Sequence, residues 1–489
     1  MEGLKQALSG VVGDANVFDD PAVLESYAAD QSFVLPIRPK AVVRPGSEDE
    51  VQALVVWANQ TGTPLVPVSS GAPHFYGDTV PSAPGAVMVD LSRMNRVLKI
   101  DVRDRMAVIE PGVTYEQLRP ALAAEGLMLV SPLAPRADKS VVASLLERQP
   151  TLVPRMNYAL PEPLRNMGVV WGDGTRFSTG ESGNSVLDID AQWNAGRRLT
   201  DPKGPAQTDF FRLLTGAQGT LGIVTWASVR VQLIPGAKKT MFVTTDTLDD
   251  LVDLSYRLTR LRVGDELLIV NGTYLAALVA ADGAEAVALR ASLPAWTLII
   301  GIAGRALRPE QRVAVAEQDI AAEVAARGLK LQNAVPGVAK SRIEAALEGV
   351  APEPHWKLRA KGAVADIFFH TVLENAPGYL ATMVDAAVAH KYPVADVGVY
   401  LQPQHQGVSY HMEFSLPYAA DDKADAARTR ALYSDASTRL MAEGAYFSRP
   451  YGEWADPVYN RDAAAKDALR TVKAILDPNN ILNPSKLCF

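Results

Sequence analysis

Pro64-Leu65-Val66-Pro67-Val68-Ser69-Ser70-Gly71-Ala72-Pro73-His74-Phe75-Tyr76-Gly77 is the stretch on which the fold turns. A short apolar run that ends in small residues reads as a buried strand delivering a loop. Such a loop can turn several backbone N–H groups toward one point and so form a nest for an anion such as a pyrophosphate. Just upstream, Ala41-Val42-Val43 closed by Pro45-Gly46 predicts another strand and a turn. Ser47 and Glu50 stand at capping-box spacing, and Val51, Leu54, Val55 and Ala58 follow at i, i+3, i+4 and i+7. Gly62 closes that helix. The unit is therefore β-α-β, its second strand opening into the small-residue loop. Neither G-x-G-x-x-G nor G-x-x-x-x-G-K-[ST] occurs, so a Rossmann or P-loop phosphate site is not supported. By itself the loop is equally a tight turn between strands.

Working outward, Val87–Asp90 and Ala107–Glu110 read as strands, and Pro111-Gly112 turns into a helix capped at Thr114. Residues 131–163 are loop-rich. Gly168–Trp171, the turn Gly172-Asp173-Gly174 and Thr175–Phe177 suit a hairpin, and the glycine-rich turn at Gly216 leads into a strand ending near Val231. Pro235-Gly236 marks a boundary. Beyond it, strands fit Met241–Thr245, Glu266–Val270, Trp296–Ala303, Ala365–Val372, Val394–Gln402 and Ser409–Leu416. Helices fit Leu248–Arg260, Pro309–Arg327, Gly378–His390 and Asp421–Glu443. This alternation predicts an α+β sheet domain with its helices on one face. From Tyr446 to Phe489 the character changes again.

Composition narrows the chemistry. The 489 residues carry 48 Lys+Arg against 55 Asp+Glu, a net charge of -7, which argues against a nucleic-acid partner. Cys488 is the one cysteine, so an internal disulfide, an iron–sulfur cluster and a cysteine-type zinc site are excluded. Redox chemistry would need an organic cofactor or a metal held by His and carboxylates. Met1–Lys5 starts no basic-then-apolar leader, and the apolar runs Leu275–Ala281 and Trp296–Ile302 are too short to span a bilayer. A cytoplasmic protein without a membrane span is expected.

The order of these segments resembles the vanillyl-alcohol oxidase / p-cresol methylhydroxylase family of FAD-dependent oxidoreductases. The matching pieces are Val43-Arg44-Pro45-Gly46-Ser47, Pro67 to Gly77, Glu110-Pro111-Gly112-Val113-Thr114 and Lys139 to Arg148. They continue with Gly172-Asp173-Gly174-Thr175, Thr179-Gly180, Gly219-Thr220-Leu221-Gly222-Ile223-Val224-Thr225 and Asp477 to Lys486. The resemblance implies an α+β fold: a two-part FAD-binding domain of the p-cresol methylhydroxylase type, residues 1–236 and 445–489, with a ferredoxin-like cap over 237–444. It implies FAD along Pro67, Val68, Ser69, Ser70, Gly71, Ala72, Pro73 and His74. It adds Pro132, Ser140, Val141, Ser144, Arg148, Ile223, Val224, Arg449 and Lys486 as further cofactor-binding residues. Many members attach FAD covalently through His or Tyr. Here Asp366 stands where the cap strand of such relatives carries a His, so non-covalent FAD is expected, with His74 the leading residue for a covalent link.

The resemblance also implies the substrate end. Tyr76 matches a tyrosine that helps bind a phenolic oxygen, and Tyr446, Arg449 and Tyr451 lie where relatives place a Tyr-Arg pair, although Ser448 replaces the tyrosine directly before the arginine. Two phenols and a guanidinium make an anion cradle. On the cap, Ser409-Tyr410-His411-Met412-Glu413-Phe414 alternates as a strand, so His411 and Glu413 share a face, as do Tyr400 and Gln402. His411 is then a candidate base oriented by Glu413, while His405, His411 and Glu443 offer a weaker metal reading, and no metal is expected. The substrate that the resemblance implies is a para-hydroxylated aromatic losing hydride to flavin N5, with a 2-hydroxy acid dehydrogenase as the alternative. A silent module that merely keeps the fold is the reading from another class. The resemblance further implies a homodimer or higher homo-oligomer, and leaves room for a separate electron-transfer subunit.

Overall fold

Ser47 Oγ accepts from Glu50 N at 3.2 Å, and Glu50 Oε2 in turn accepts from Gly46 N at 2.7 Å. This paired cap starts helix Glu48–Thr61, which Gly62 ends at a φ of 64°. The buried stripe is Val51, Leu54, Val55 and Ala58, as the periodicity predicts. The computed structural model describes residues 2–155, 163–180, 182, 189–195 and 209–489. Part of the loop-rich stretch, 156–162, lies outside the described residues.

The helix crosses between parallel strands. Ala41–Val43 and Leu65–Val68 both pair in parallel with Val87–Asp90, and Val17–Phe18 adds an antiparallel edge. Leu54 is fully buried in this core, so truncating it to Ala would cost about 2–5 kcal/mol. A second, antiparallel sheet runs in the order Val97–Asp101, Met106–Ile109, Gly222–Leu233, Leu164–Trp171, Arg176–Ser178, with Leu127–Leu129 paired to the far part of the long strand.

A third sheet has seven strands, ordered Leu331–Gln332, Ala237–Thr245, Trp296–Gly304, Glu266–Asn271, Gly398–Gln404, Ser409–Ala419, Gly362–Thr371. Helices Asp249–Leu261, Pro309–Ala325, Ala376–Ala389 and Lys423–Ala442 contribute to the core on one face with Met241 and Val243. The expectation of helices on one face alone needs correction. Helices Gly272–Val279 and Lys340–Glu348 pack on the opposite face against Phe242, Leu268 and Tyr400, where Leu133, Ala134 and Leu152 join them. That second face carries apolar residues over part of its width and polar ones over the rest, so it could not read as a uniform alternation. The strand expected from Val394 begins at Gly398. Residues Val394–Asp396 turn instead, because the Asp396 carboxylate is drawn to Arg290 at 2.5 Å and Lys361 at 2.7 Å.

The last segment returns to the first two sheets. Helix Ala463–Leu476 carries Lys473, whose Nζ donates to Thr220 O at 2.5 Å, Leu482 O at 2.9 Å and Asp477 Oδ2 at 2.5 Å. Leu482 then bridges to Leu65 in parallel, and Asn483 Nδ2 reaches the carbonyls of Asp78 and Gln218, each at 2.8 Å. Both ends of the chain are thereby fixed around the loop that follows Val68.

Candidate active site

A crevice with a cavity volume of about 230 Å³ runs between that loop and the polar face of the seven-stranded sheet. Arg136, 6 % exposed, shapes one wall. Its Nη1 donates to the carbonyls of Gly71 (3.1 Å) and Pro73 (2.5 Å), and its Nη2 to that of Ala72 (2.7 Å). Because the C=O and N–H of a trans amide point opposite ways, the carbonyl contacts of Gly71 and Pro73 turn the N–H groups of Ala72 and His74 away from the guanidinium. Asp138 and Glu353 fix Arg136 from behind at 3.1 and 2.9 Å. At Gly219, φ is +69° and an added Cβ would lie 2.4 Å from Pro67 Cγ, so this approach requires glycine.

The loop continues into an aromatic corner. Tyr76 stacks on Tyr451 with ring centroids 4.8 Å apart, and the Phe368 ring meets Tyr76 edge-on at 5.3 Å. Arg449, 4 % exposed, places its guanidinium 4.0 Å above Phe368, and among the described residues its Nη1 has no hydrogen-bond partner. Burial raises the hydroxyl pKa of Tyr76, against the pull of Arg449.

Strand register builds the opposite wall. Tyr400, Glu413 and Phe368 lie in one row across three strands, with Gly398, Ser415 and Asp366 in the next row on that face. Lys357 enters from the turn Trp356–Leu358 and sits 2.6 Å from both Asp366 Oδ2 and Glu413 Oε1. Tyr274 donates to Glu413 Oε1 at 3.0 Å, and Ser415 to Asp366 Oδ1 at 2.7 Å. Burial works against charge on each carboxyl, yet Lys357 holds Glu413 well below its ordinary range, whereas for Asp366 burial prevails and its pKa rises. The pair thus differs in acidity around one shared cation.

Among the residues the sequence points to, the wall contains Pro67, Val68, Ser69, Ser70, Pro73, His74, Tyr76, Pro132, Ile223, Val224, Glu413, Arg449 and Tyr451. Others stand behind it. Gly71 and Ala72 give their carbonyls to Arg136. Ser140 donates to Pro111 O at 2.5 Å and caps helix Val141–Leu146, while Ser144 bonds Gln149 Oε1 at 2.7 Å. Val141 is buried in the hydrophobic core, Arg148 Nη2 bonds Thr215 O at 2.7 Å, and Lys486 bonds Gly77 O at 2.6 Å. These residues support the wall instead of facing the crevice.

Two of the expected residues stand outside the crevice. Tyr446 is 60 % exposed: its backbone pairs with His370, and chain alternation sends Phe447 inward and the tyrosine ring to solvent. His411 shares a face with Glu413 but does not reach the crevice. It lies buried with Nε2 3.5 Å from Glu413 Oε2, and burial, opposed by Glu413, presses its pKa down to about 4. His405 and Glu443 stand apart from it, and among the described residues no cluster of three or more His, Cys, Asp or Glu could hold a metal. Sequence reasoning missed Arg136 and Lys357. Arg136 has a signal in hindsight, a basic residue in a loop of small and apolar ones, but Lys357 has none.

The crevice suits FAD by its donors. Arg449 Nη1, His355 Nδ1 and Trp356 Nε1 are buried without partners among the described residues, all three side chains lie in the wall, and the loop offers backbone N–H groups to a pyrophosphate. Residues 39–148 match the FAD binding domain family. Across 100 % of this chain and 96 % of that one, the fold superposes on p-cresol methylhydroxylase with substrate bound, with a TM-score of 0.82 at 19 % identity. The chain is an FAD-dependent oxidoreductase with the fold of p-cresol methylhydroxylase. This flavoenzyme is also 34 % identical over 181 residues to 1'-carboxy-chondrochloren decarboxylase of Chondromyces crocatus, a match covering 37 % of its length and 33 % of that protein's. It is 24 % identical to D-2-hydroxyglutarate dehydrogenase of Stutzerimonas stutzeri over 98 % of its own length and 97 % of the relative's. Among the described residues of the flavoenzyme, no helix is long and apolar enough to cross a membrane.

Proposed function

We propose that this oxidoreductase removes hydride from the benzylic carbon of a para-hydroxylated aromatic, of the 4-alkylphenol or 4-hydroxybenzyl alcohol type. One observation carries the proposal: the unpartnered Arg449 Nη1 lies beside the stacked Tyr76 and Tyr451 over the ring of Phe368. Tyr76, Tyr451 and Arg449 line the crevice together, and a phenolate oxygen is the anion that a buried guanidinium and two phenolic O–H groups would satisfy together. FAD, when bound, supplies the hydride acceptor at N5. Ser69, Ser70 and the N–H groups set by Arg136 would hold its pyrophosphate, in a crevice that Ile223 and Val224 also line. Arg449 keeps the substrate oxygen ionised, which pushes electron density toward the benzylic carbon. Tyr76 and Tyr451 orient the ring, and the buried aromatic side chains Trp356 and Tyr274 in the wall keep that end of the crevice poor in water.

A 2-hydroxy acid is the second reading. It rests on the same Arg449, which would pair a carboxylate, and on the end-to-end likeness to the D-2-hydroxyglutarate dehydrogenase. Anaerobic mixing of the yellow enzyme with 4-hydroxybenzyl alcohol or with D-lactate separates the two. Bleaching of the flavin absorption by the aromatic alcohol is expected; bleaching by the hydroxy acid alone would overturn the proposal.

A further inference from the structure

A second cavity, of about 680 Å³, lies behind the crevice wall: Ser131 lines it, while the next residues, Pro132 and Leu133, line the crevice. That volume suits a small organic molecule. Helix Tyr115–Ala124 and strand Leu127–Leu129 form one side, and Lys238 and Glu266 of the seven-stranded sheet, with Leu347–Val350, form the other. Leu127, Leu129, Ile234, Leu347 and Val350 give it a mainly apolar lining. Among the described residues none lines both the cavity and the crevice.

Most charged groups in this lining are held in ion pairs. Lys238 meets Glu266 at 2.8 Å and Glu348 at 2.9 Å, and Arg305 meets Asp265 at 2.6 Å. Glu116 stands outside these pairs but is exposed, where water screens it. Arg119 differs from all of them. It is half-buried, and its Nη1 makes two long hydrogen bonds, to Ser131 Oγ at 3.3 Å and Gly349 O at 3.4 Å. Among the described residues no carboxylate comes within ion-pair distance of it. Burial, opposed by Tyr115 and the more distant Glu348, lowers its pKa. A guanidinium has five N–H donors, so most of this one's capacity is unspent beside an apolar hollow.

We infer that the cavity binds an amphipathic monocarboxylate, its head group on Arg119 and its hydrocarbon body against the apolar walls. A carboxylate matches the planar guanidinium fork with two parallel hydrogen bonds, which replace two poor ones. The hydrocarbon removes water from Leu127, Leu129 and Leu347. Such a ligand bridges the helix and the sheet, next to the flavin crevice but outside it. Ala351, directly after Val350, pairs with Arg136 of the crevice wall. Tyr115, one turn before Arg119, donates to Ser144 Oγ at 2.9 Å, and Ser144 donates to Gln149 Oε1, also of that wall, at 2.7 Å. The inference does not depend on the phenolic reading.

Calorimetric titration of the FAD-loaded enzyme with octanoate, below its micellar concentration, tests this. One octanoate per chain is expected, with octan-1-ol at least about tenfold weaker. Arg119→Met should weaken octanoate by at least about tenfold, the weight of a charge-assisted hydrogen bond. Arg449→Ala, altered only in the crevice, should bind octanoate as wild type does. Ala123→Trp, at an exposed helix position lining the cavity, places a ring in it and should abolish binding, which serves if Arg119→Met does not fold. Wild type that takes up no octanoate, binding retained in Arg119→Met or Ala123→Trp, octan-1-ol equal to octanoate, or binding lost in Arg449→Ala overturns the inference.

Discussion

The Tyr76 ring lies on the Tyr451 ring with centroids 4.8 Å apart and planes inclined by 23°, joining the loop after the third parallel-sheet strand to the C-terminal segment. The contact brings sequence positions far apart into one wall of the crevice, which only works if both chain ends are fixed to the same sheet. Tyr76→Phe keeps the stack and removes one hydroxyl. Flavin should be retained in full, while the reduction rate with a phenolic substrate falls about 10- to 100-fold, the weight of a hydrogen bond to a charged oxygen. Stopped-flow reduction checks this, and an unchanged rate would exclude Tyr76 from phenolate binding.

Arg449 sits flat over Phe368 and is buried. A lysine cannot reproduce that planar stacked charge. Arg449→Lys should therefore recover little of the activity lost in Arg449→Ala, both falling by at least about 100-fold in kcat/KM. Full rescue by lysine would show that only a point charge is needed there.

Arg136 donates to the carbonyls of the loop, so its effect is expected in cofactor retention. Arg136→Met frees the carbonyls of Gly71, Ala72 and Pro73 and relaxes the N–H groups behind them. FAD affinity should weaken about 10- to 100-fold, about 1.4–2.8 kcal/mol, as read by flavin fluorescence on equilibrium dialysis. Substrate KM for the enzyme that remains loaded should change little.

Lys473 donates to two carbonyls and the fully buried Asp477. Lys473→Met leaves that carboxylate without its cation, and chemical unfolding should report a loss of about 3–5 kcal/mol. An intact Asp477 also accepts from the N–H groups of Ile481 and Leu482, so the C-terminal turn should loosen with it.

His411 gives a pH signature. Burial lowers its pKa to about 4 in the folded chain, against about 6.5 when unfolded. Between those values the unfolded state binds the extra proton, so this histidine's contribution is full above about pH 6.5 and is lost as pH falls toward 4. Urea unfolding of His411→Asn across that window should show a shallower decline than wild type; parallel curves would contradict the buried neutral imidazole.

The elements with strict periodicity were legible in advance: the helix from Glu48, the alternation that puts Glu413 on one sheet face, and the small-residue loop after Val68. Which side chains reach the crevice was less so. Strand alternation assigns His411 and Glu413 to the same face, but depth along that face is set by the helices and rings packed on it, and Glu413 alone arrives. Tyr446 looked like a partner of Arg449 by proximity in sequence, yet the pairing of its backbone with His370 turns it outward. Arg136 and Lys357 act through contacts more than sixty residues away in one case and across two strands in the other, so no local pattern announces them. Helix Gly272–Val279 was an apolar run too short for its period to separate it from a strand.

Absorption spectroscopy of a non-oxidisable para-substituted phenol bound to the oxidised holoenzyme tests the phenolate cradle most directly. At a pH where the free phenol is neutral, the bound ligand should show the phenolate spectrum in wild type and lose it in Arg449→Ala. A ligand that binds as neutral phenol, or one displaced only by 2-hydroxy acids and not by other phenols, would contradict the account.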